Sequence, residues 1–326
     1  MNMVHRLDGL EPDNLLAILA LLGVATALDA ADAKDPTTDR WCPRIGWDLS
    51  NPPLRPLVHL RGSADQQALA TRIDQGLRTL AAAYSFDGRQ DVDYSLKEAG
   101  RLLAEAARAA GPVARERVDL LSSLMNELAE SGKPGRVAPT PLCLLHGGGH
   151  QHFLERLNHV VEGHRGSNTS VDDHAARIEN LKDTLFHPWR RQDDLSSSFR
   201  WDPKEDVRYA LMAGDPTANA YKGHTQLGAN VLAAIGLASL TVVPHPRGTK
   251  IQVMVLGGRY KSGGFEFAWP IWRDPATLPT IRALFSHPDL WEEHGLQHLG
   301  VEHVFVARRI SVNKLMNFTR AEPLFS

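Results

Sequence analysis

The residues best placed to do chemistry lie in mid-chain, at His146-Gly147-Gly148-Gly149-His150-Gln151-His152-Phe153. Three glycines between a strand and a helix let backbone N–H groups converge on one point, and a helix N-terminus attracts negative charge. A phosphate of RNA or DNA suits that cradle. The same triplet also suits a tight turn needing positive φ, which glycine adopts without steric cost. His-Gly-Gly-Gly can build an oxyanion hole, but that use requires a Gly-x-Ser-x-Gly nucleophile elbow, and the sequence has none. The Walker A pattern and the Gly-x-Gly-x-x-Gly fingerprint are missing too.

Seven of the fifteen histidines fall between His146 and His187. A metal-dependent hydrolase would draw its ligands from this cluster, using His146, His150 and His152, or His152 with His159 on one helix face. Against it, there is no His-Glu-x-x-His and no nearby cysteine pair, and glycine-flexed ligands are poorly oriented. No spacing of Asp and Glu singles out a carboxylate pair for acid–base work. The expectation is a chain with no catalytic residues, no metal and no cofactor.

A second feature is an asymmetry of charge. From Pro216 through Phe265 there is no Asp or Glu, while Lys222, Arg247, Lys250, Arg259, Lys261, His224 and His245 are present. Side chains of this kind on one face would attract a polyanion backbone. Burial alone also excludes acids from such a stretch, but it leaves the uniformly basic remainder unaccounted for.

A third cluster pairs arginine with aromatics: Trp189-Arg190-Arg191, then Phe199-Arg200-Trp201. Such pairs bind phosphate and stack on unpaired bases. Asp193, Asp194, Asp202, Glu205 and Asp206 offset the charge, so an internal ion network fixing a long loop is an equal alternative. Near the C-terminus, Arg308, Arg309 and Lys314, with Phe318, are further candidates for a phosphate backbone or simply solvated strand residues.

The elements carrying these residues are of mixed type. Leu15 to Leu28 is an apolar run of 14 residues, too short for a membrane span and suited to a buried helix with Asp13 near its N-cap. Ser63 with Gln66, and Ser95 with Glu98, have capping-box spacing. Helical periodicity marks Leu96–Ala110, Val113–Leu128, a helix from Gln151, Val171–Phe186, Gln226–Leu240 and Pro275–Trp291 with a break near Pro288. Strand-like runs are Arg44–Leu49, Leu57–Leu60, Leu142–Leu145, Leu240–Val243, Ile251–Leu256, Phe265–Trp272 and Val301–Val312. Without regular βαβ alternation this reads as an α+β fold, with a mostly antiparallel sheet in the C-terminal half. The natural division is a mainly helical region over 1–140 and an α+β, nucleic-acid-contacting region over 141–326.

Composition sets the remaining bounds. The 326 residues are 43% hydrophobic and 23% charged, with formal net charge −2, so nucleic-acid binding must come from a local patch. Two cysteines, Cys42 and Cys143, form no disulfide framework, which points to a reducing, cytoplasmic setting.

Several segments together resemble the large-subunit-like proteins of type I-G (formerly I-U) CRISPR loci. They are Leu7-Asp8-Gly9-Leu10-Glu11-Pro12-Asp13-Asn14 with Leu15 to Gly23, the His146–Phe153 motif, and Phe199-Arg200-Trp201-Asp202-Pro203 with Asp206, Arg208, Tyr209, Ala210 and Leu211. Phe267-Ala268-Trp269-Pro270-Ile271-Trp272 and Asn317-Phe318-Thr319 complete the order. The resemblance implies an antiviral ribonucleoprotein subunit of a Cascade-like complex. Its partners would be crRNA, target DNA, other Cascade-like subunits and a helicase–nuclease that cuts the strand, with no membrane involved. A metal-dependent hydrolase and a purely structural scaffold are the alternatives.

Overall fold

Helices apolar on every side must be buried on every side, and two segments meet that description. The sequence LLAILALLGVATALDAAD forms a helix over Leu15–Asp32, and LGANVLAAIG forms another over Leu227–Gly236. In this computed structural model, which describes residues 2–111, 113–145, 152–163, 171–205, 224–262, 264–312 and 315–325, the two helices lie against each other at the centre.

In chain order the first elements are β1 (Asn2–Arg6), α1 (Leu15–Asp32), β2 (Arg44–Trp47), β3 (Pro56–Arg61), α2 (Gln66–Ala81), α3 (Leu96–Arg108) and α4 (Ala114–Leu124). There follow β4 (Met125–Glu130), β5 (Val137–Pro139), α5 (Phe153–Glu162), α6 (Val171–Phe186), β6 (Asp193–Asp194), β7 (His224–Thr225) and α7 (Leu227–Gly236). The last are β8 (Val242–Arg247), β9 (Lys250–Val255), β10 (Gly258–Lys261), β11 (Gly264–Trp272), α8 (Leu278–Phe285), β12 (Val301–Val312), β13 (Leu315–Phe318) and β14 (Glu322–Pro323). The fold is α+β. Its largest sheet, in the C-terminal half, has strand order β10-β11-β12-β13 with β14 also on β12, and every pairing is antiparallel.

Glycine sets how closely the central helices approach. A Cβ on Gly23 would stand 1.9 Å from the Leu232 carbonyl oxygen, and one on Gly236 would stand 2.0 Å from that of Leu19. On the other side of α1, a Cβ on Gly76 of α2 would stand 1.9 Å from the Ala27 oxygen.

One hydrophobic core runs from Leu7 to Ala321. The division at 140/141 therefore cuts through a shared interior. Trp269 and Trp272 of β11 also donate their indole N–H groups to the carbonyls of Pro12 and Ile45, each at 2.8 Å.

The structure amends several expectations. Helix α1 spans 18 residues, so length and composition alone would let it cross a membrane, but 89% of that window is buried inside the protein. Its N-cap is Asn14, whose side chain accepts from the Leu16 N–H at 2.9 Å, while Asp13 pairs with Arg320. Helix α2 is capped by Asp65 rather than Ser63. Ser95 caps α3 as its spacing indicates, accepting from Glu98 at 3.2 Å. The helix expected to reach Leu128 stops at Leu124, where β4 begins, pairs with β5 and packs on β9. Leu142–Leu145 is buried but forms no strand. Strands β1, β10 and β13 were not expected: they are short, and pairing stabilises them more than pattern does.

Candidate nucleic-acid interface

Successive side chains of a strand point to opposite faces, and that rule sorts the basic residues near β10. Register places Arg259, Glu266 and Arg308 directly across β10, β11 and β12, on one face. Lys261 is two residues along on the same face. Arg259 Nε bonds Glu266 Oε2 at 2.8 Å, Lys261 Nζ lies 3.7 Å from the same oxygen, and Arg308 Nε lies 3.3 Å from Oε1. The guanidinium of Arg259 also sits 3.7 Å from the ring centroid of Trp291. Burial disfavours the Glu266 charge, but the Arg259 hydrogen bond and the three cations outweigh it and hold the carboxyl below its ordinary range. Lys261 and Arg308 stay open to solvent, with side chains 54% and 64% exposed against 10% for Glu266.

The opposite face carries Tyr260, Phe265 and Arg309. Arg309 lies over the Phe265 ring at 5.3 Å and donates to the Pro141 carbonyl at 3.1 Å. Burial pulls its pKa down. Tyr260 donates its hydroxyl to the Val253 carbonyl at 2.9 Å, which fixes its ring on the β8–β9 hairpin. The Arg247 guanidinium lies 5.8 Å from that ring, and the His245 ring 6.2 Å. Lys250 pairs opposite Arg247 at the exposed hairpin tip, where Gly248 turns the chain at φ 60°. Burial raises the Tyr260 pKa, and the charges of Arg309 and Arg247 oppose that rise.

Arg247, Lys250, Arg259 and Lys261 of the acid-free window thus gather around β10 with Arg308 and Arg309, but on its two sides, while His224 pairs in β6–β7. Glu266 was missed by sequence reasoning, although it is the first acid after the gap and period-two alternation sets it beside Arg259 and Arg308. Gly147, Gly148, Gly149, Lys222 and Lys314 lie outside the described residues.

Gly147 to Gly149 lie outside the described residues, and at the start of α5 the first N–H groups bond within the chain. The Phe153 N–H donates to Asp91 Oδ1 at 3.0 Å, and those of Leu154 and Glu155 donate to the Gln90 carbonyl at 2.8 and 3.2 Å. The chain's own groups occupy the donors that would otherwise face a phosphate.

The Trp189–Glu205 segment is an internal network. Trp201 is fully buried, stacked on Phe199 at 4.5 Å, with its indole N–H donating to the Leu142 carbonyl at 2.9 Å. A base cannot reach it, which corrects its assignment as a contact residue. Arg191 is 10% exposed, bonds Asp202 at 2.7 Å and lies over Trp189. Asp202 also accepts from Asn14 at 3.0 Å, and Lys204 bonds Glu11 at 2.9 Å. Buried Glu205 takes hydrogen bonds from Ser198 and Thr225. Arg200 is half-buried at φ 64°, its N–H donating to Ser198 Oγ at 2.9 Å. Arg190 is exposed and pairs with Asp183 at 3.2 Å. The network ties the first helix to the middle of the chain.

The described histidines of the cluster that pair with carboxylates do so with different ones. His152 pairs with Asp91 at 2.7 Å and His174 with Asp74 at 3.3 Å, at separate places, while His146, His150 and His164 lie outside the described residues. Among the described residues no group of three or more His, Cys, Asp or Glu is placed to hold a metal ion. Comparison with protein-family models and with curated proteins returns no match.

Proposed function

We propose that this chain is a non-catalytic, nucleic-acid-binding subunit of a CRISPR type I, Cascade-like complex. Its β8–β13 region meets the phosphate backbone of crRNA or target DNA. One observation carries the reading: Arg247, Lys250, Arg259, Lys261, Arg308 and Arg309 gather around β10, and the carboxylate paired with them is Glu266 alone among the described residues. On a chain of formal net charge −2 this is a local concentration of positive charge, which draws in phosphates and releases their counterions. Contacts of this type set position and affinity rather than base sequence. The resemblance to type I-G proteins supplies the setting, in which a helicase–nuclease partner does the cutting.

Two charge reversals test the reading: Arg247→Glu with Lys250→Glu, and Lys261→Glu with Arg308→Glu. All four side chains reach solvent; the second pair sets like charges beside Glu266, so a thermal melt must first show that this variant folds. Each pair should weaken binding of a labelled oligonucleotide roughly tenfold or more at low salt and flatten the salt dependence. Unchanged oligonucleotide binding and unchanged assembly with partner subunits in both variants would remove the proposal.

A further inference from the structure

The two sides of β10 differ in what balances their cations. On the outer side Arg259, Lys261 and Arg308 share Glu266. On the hairpin side, Arg247 and Arg309 have no carboxylate within ion-pair distance among the described residues. Among the described residues the Arg309 side chain has one hydrogen bond, to a backbone carbonyl, and that of Arg247 has one, to the Gln252 side chain at 3.4 Å. A guanidinium has five N–H donors, so the described residues engage only a small part of this capacity. A half-buried guanidinium without a counter-charge is costly to maintain, and an incoming anion would relieve that cost.

Three ring contacts connect the two cations. Arg247 lies 5.8 Å from the Tyr260 ring, Tyr260 lies 5.3 Å from Phe265, and Arg309 lies 5.3 Å from Phe265. Both guanidinium charges act on the Tyr260 hydroxyl. The Tyr260 hydroxyl bond to Val253 holds the ring between them.

We propose that Arg309 and Arg247, spaced by Tyr260, form a binding site for the phosphodiester backbone of a single-stranded RNA or DNA. The proposal rests on the nucleic-acid reading above and narrows it to one substrate class. A duplex presents its phosphates on a stiff, wide cylinder that meets exposed lysines and arginines such as Lys261 and Arg308. A recessed cation such as Arg309 is reached by a backbone that can bend inward. The Tyr260 and His245 rings, 6.2 Å apart, border the path and suit unpaired bases better than paired ones.

The test measures anisotropy of a labelled single-stranded oligonucleotide and of the same sequence as a duplex, across a salt series. The proteins are wild type, Arg247→Ala, Arg309→Met, their double variant, and Lys261→Glu with Arg308→Glu as comparison. Methionine replaces the buried part of Arg309 with an apolar chain of similar length, and Arg247 is exposed, so Arg247→Ala keeps the test valid even if Arg309→Met misfolds. Each single variant should weaken single-strand binding roughly tenfold at low salt and lower the log–log salt slope by about one, and the double variant by about two. Duplex binding should change far less. An equal loss for duplex overturns the single-strand assignment. Unchanged single-strand binding in Arg247→Ala and the double variant, with a loss in the Lys261→Glu, Arg308→Glu protein, overturns the site and leaves the broader reading standing. No binding of either oligonucleotide by wild type at low salt overturns both.

Discussion

Replacing Glu266 with glutamine separates stability from binding, because this carboxylate serves one and opposes the other. Glu266 is 10% exposed, and its closest partner, Arg259, is 26% exposed at 2.8 Å. Lys261 and Arg308 are more than half exposed, so solvent screening leaves them little share of the energy. The loss is therefore mainly that of one part-buried, charge-assisted pair. Glutamine still accepts a hydrogen bond, which brings the cost below that of breaking a fully buried pair, to about 2 kcal/mol. The pH dependence follows from the depressed Glu266 pKa. A carboxyl held lower in the folded state stabilises above its unfolded pKa, and that contribution fades as pH falls through the folded value. Thermal or urea unfolding should therefore show Glu266→Gln less stable than wild type at neutral pH. The gap should close below the ordinary carboxylate range. Binding should move the other way: three cations freed from their carboxylate should bind an oligonucleotide more tightly at low salt, with a slope steeper by about one. A variant as stable as wild type at neutral pH, or one that binds more weakly, would refute the reasoning about this cluster.

Three further outcomes follow from the same structure. Asp202→Ala leaves the 10%-exposed Arg191 without its carboxylate and should cost about 3–5 kcal/mol in denaturant unfolding; a near-neutral effect would show the network to be dispensable. Trp201→Ala empties a fully buried site and should cost about 3–5 kcal/mol, yet oligonucleotide affinity per folded molecule should not change, as a titration corrected for active fraction will show. His152 has its pKa raised by its hydrogen bond to Asp91, so that contact stabilises below the ordinary histidine pKa and is lost as pH rises through the folded value. An NMR titration should find the His152 pKa above the ordinary value in wild type and closer to it in Asp91→Asn.

Much of the scaffold was legible from residue order because it depends on local pattern. An all-apolar run such as Leu15–Leu28 must lie away from water, and the structure puts it in the interior. Ser95 and Glu98 are three residues apart, so their cap needs no distant partner. The β11 and β12 runs alternate or stay apolar long enough to declare themselves, and the antiparallel C-terminal sheet follows.

What tertiary structure decided are the meetings between residues far apart in sequence. Asp91 and Gln90 close the start of α5 from some 60 positions away, and nothing near the glycines announces that. Trp201 looks like a base-stacking residue beside Arg200, and it is in the core because Phe199, Phe153 and the Leu142 carbonyl surround it. Asp202 meets both Arg191 and Asn14 because the N-cap of α1 abuts that segment. Above all, strand register placed Glu266 among three cations and left Arg309 on the other face, where the Tyr260 ring meets Arg247 of the separate β8–β9 hairpin. A shift of one residue moves every side chain of a strand to the opposite side, so whether a run of lysines and arginines forms one surface or two is settled by pairing, not by composition.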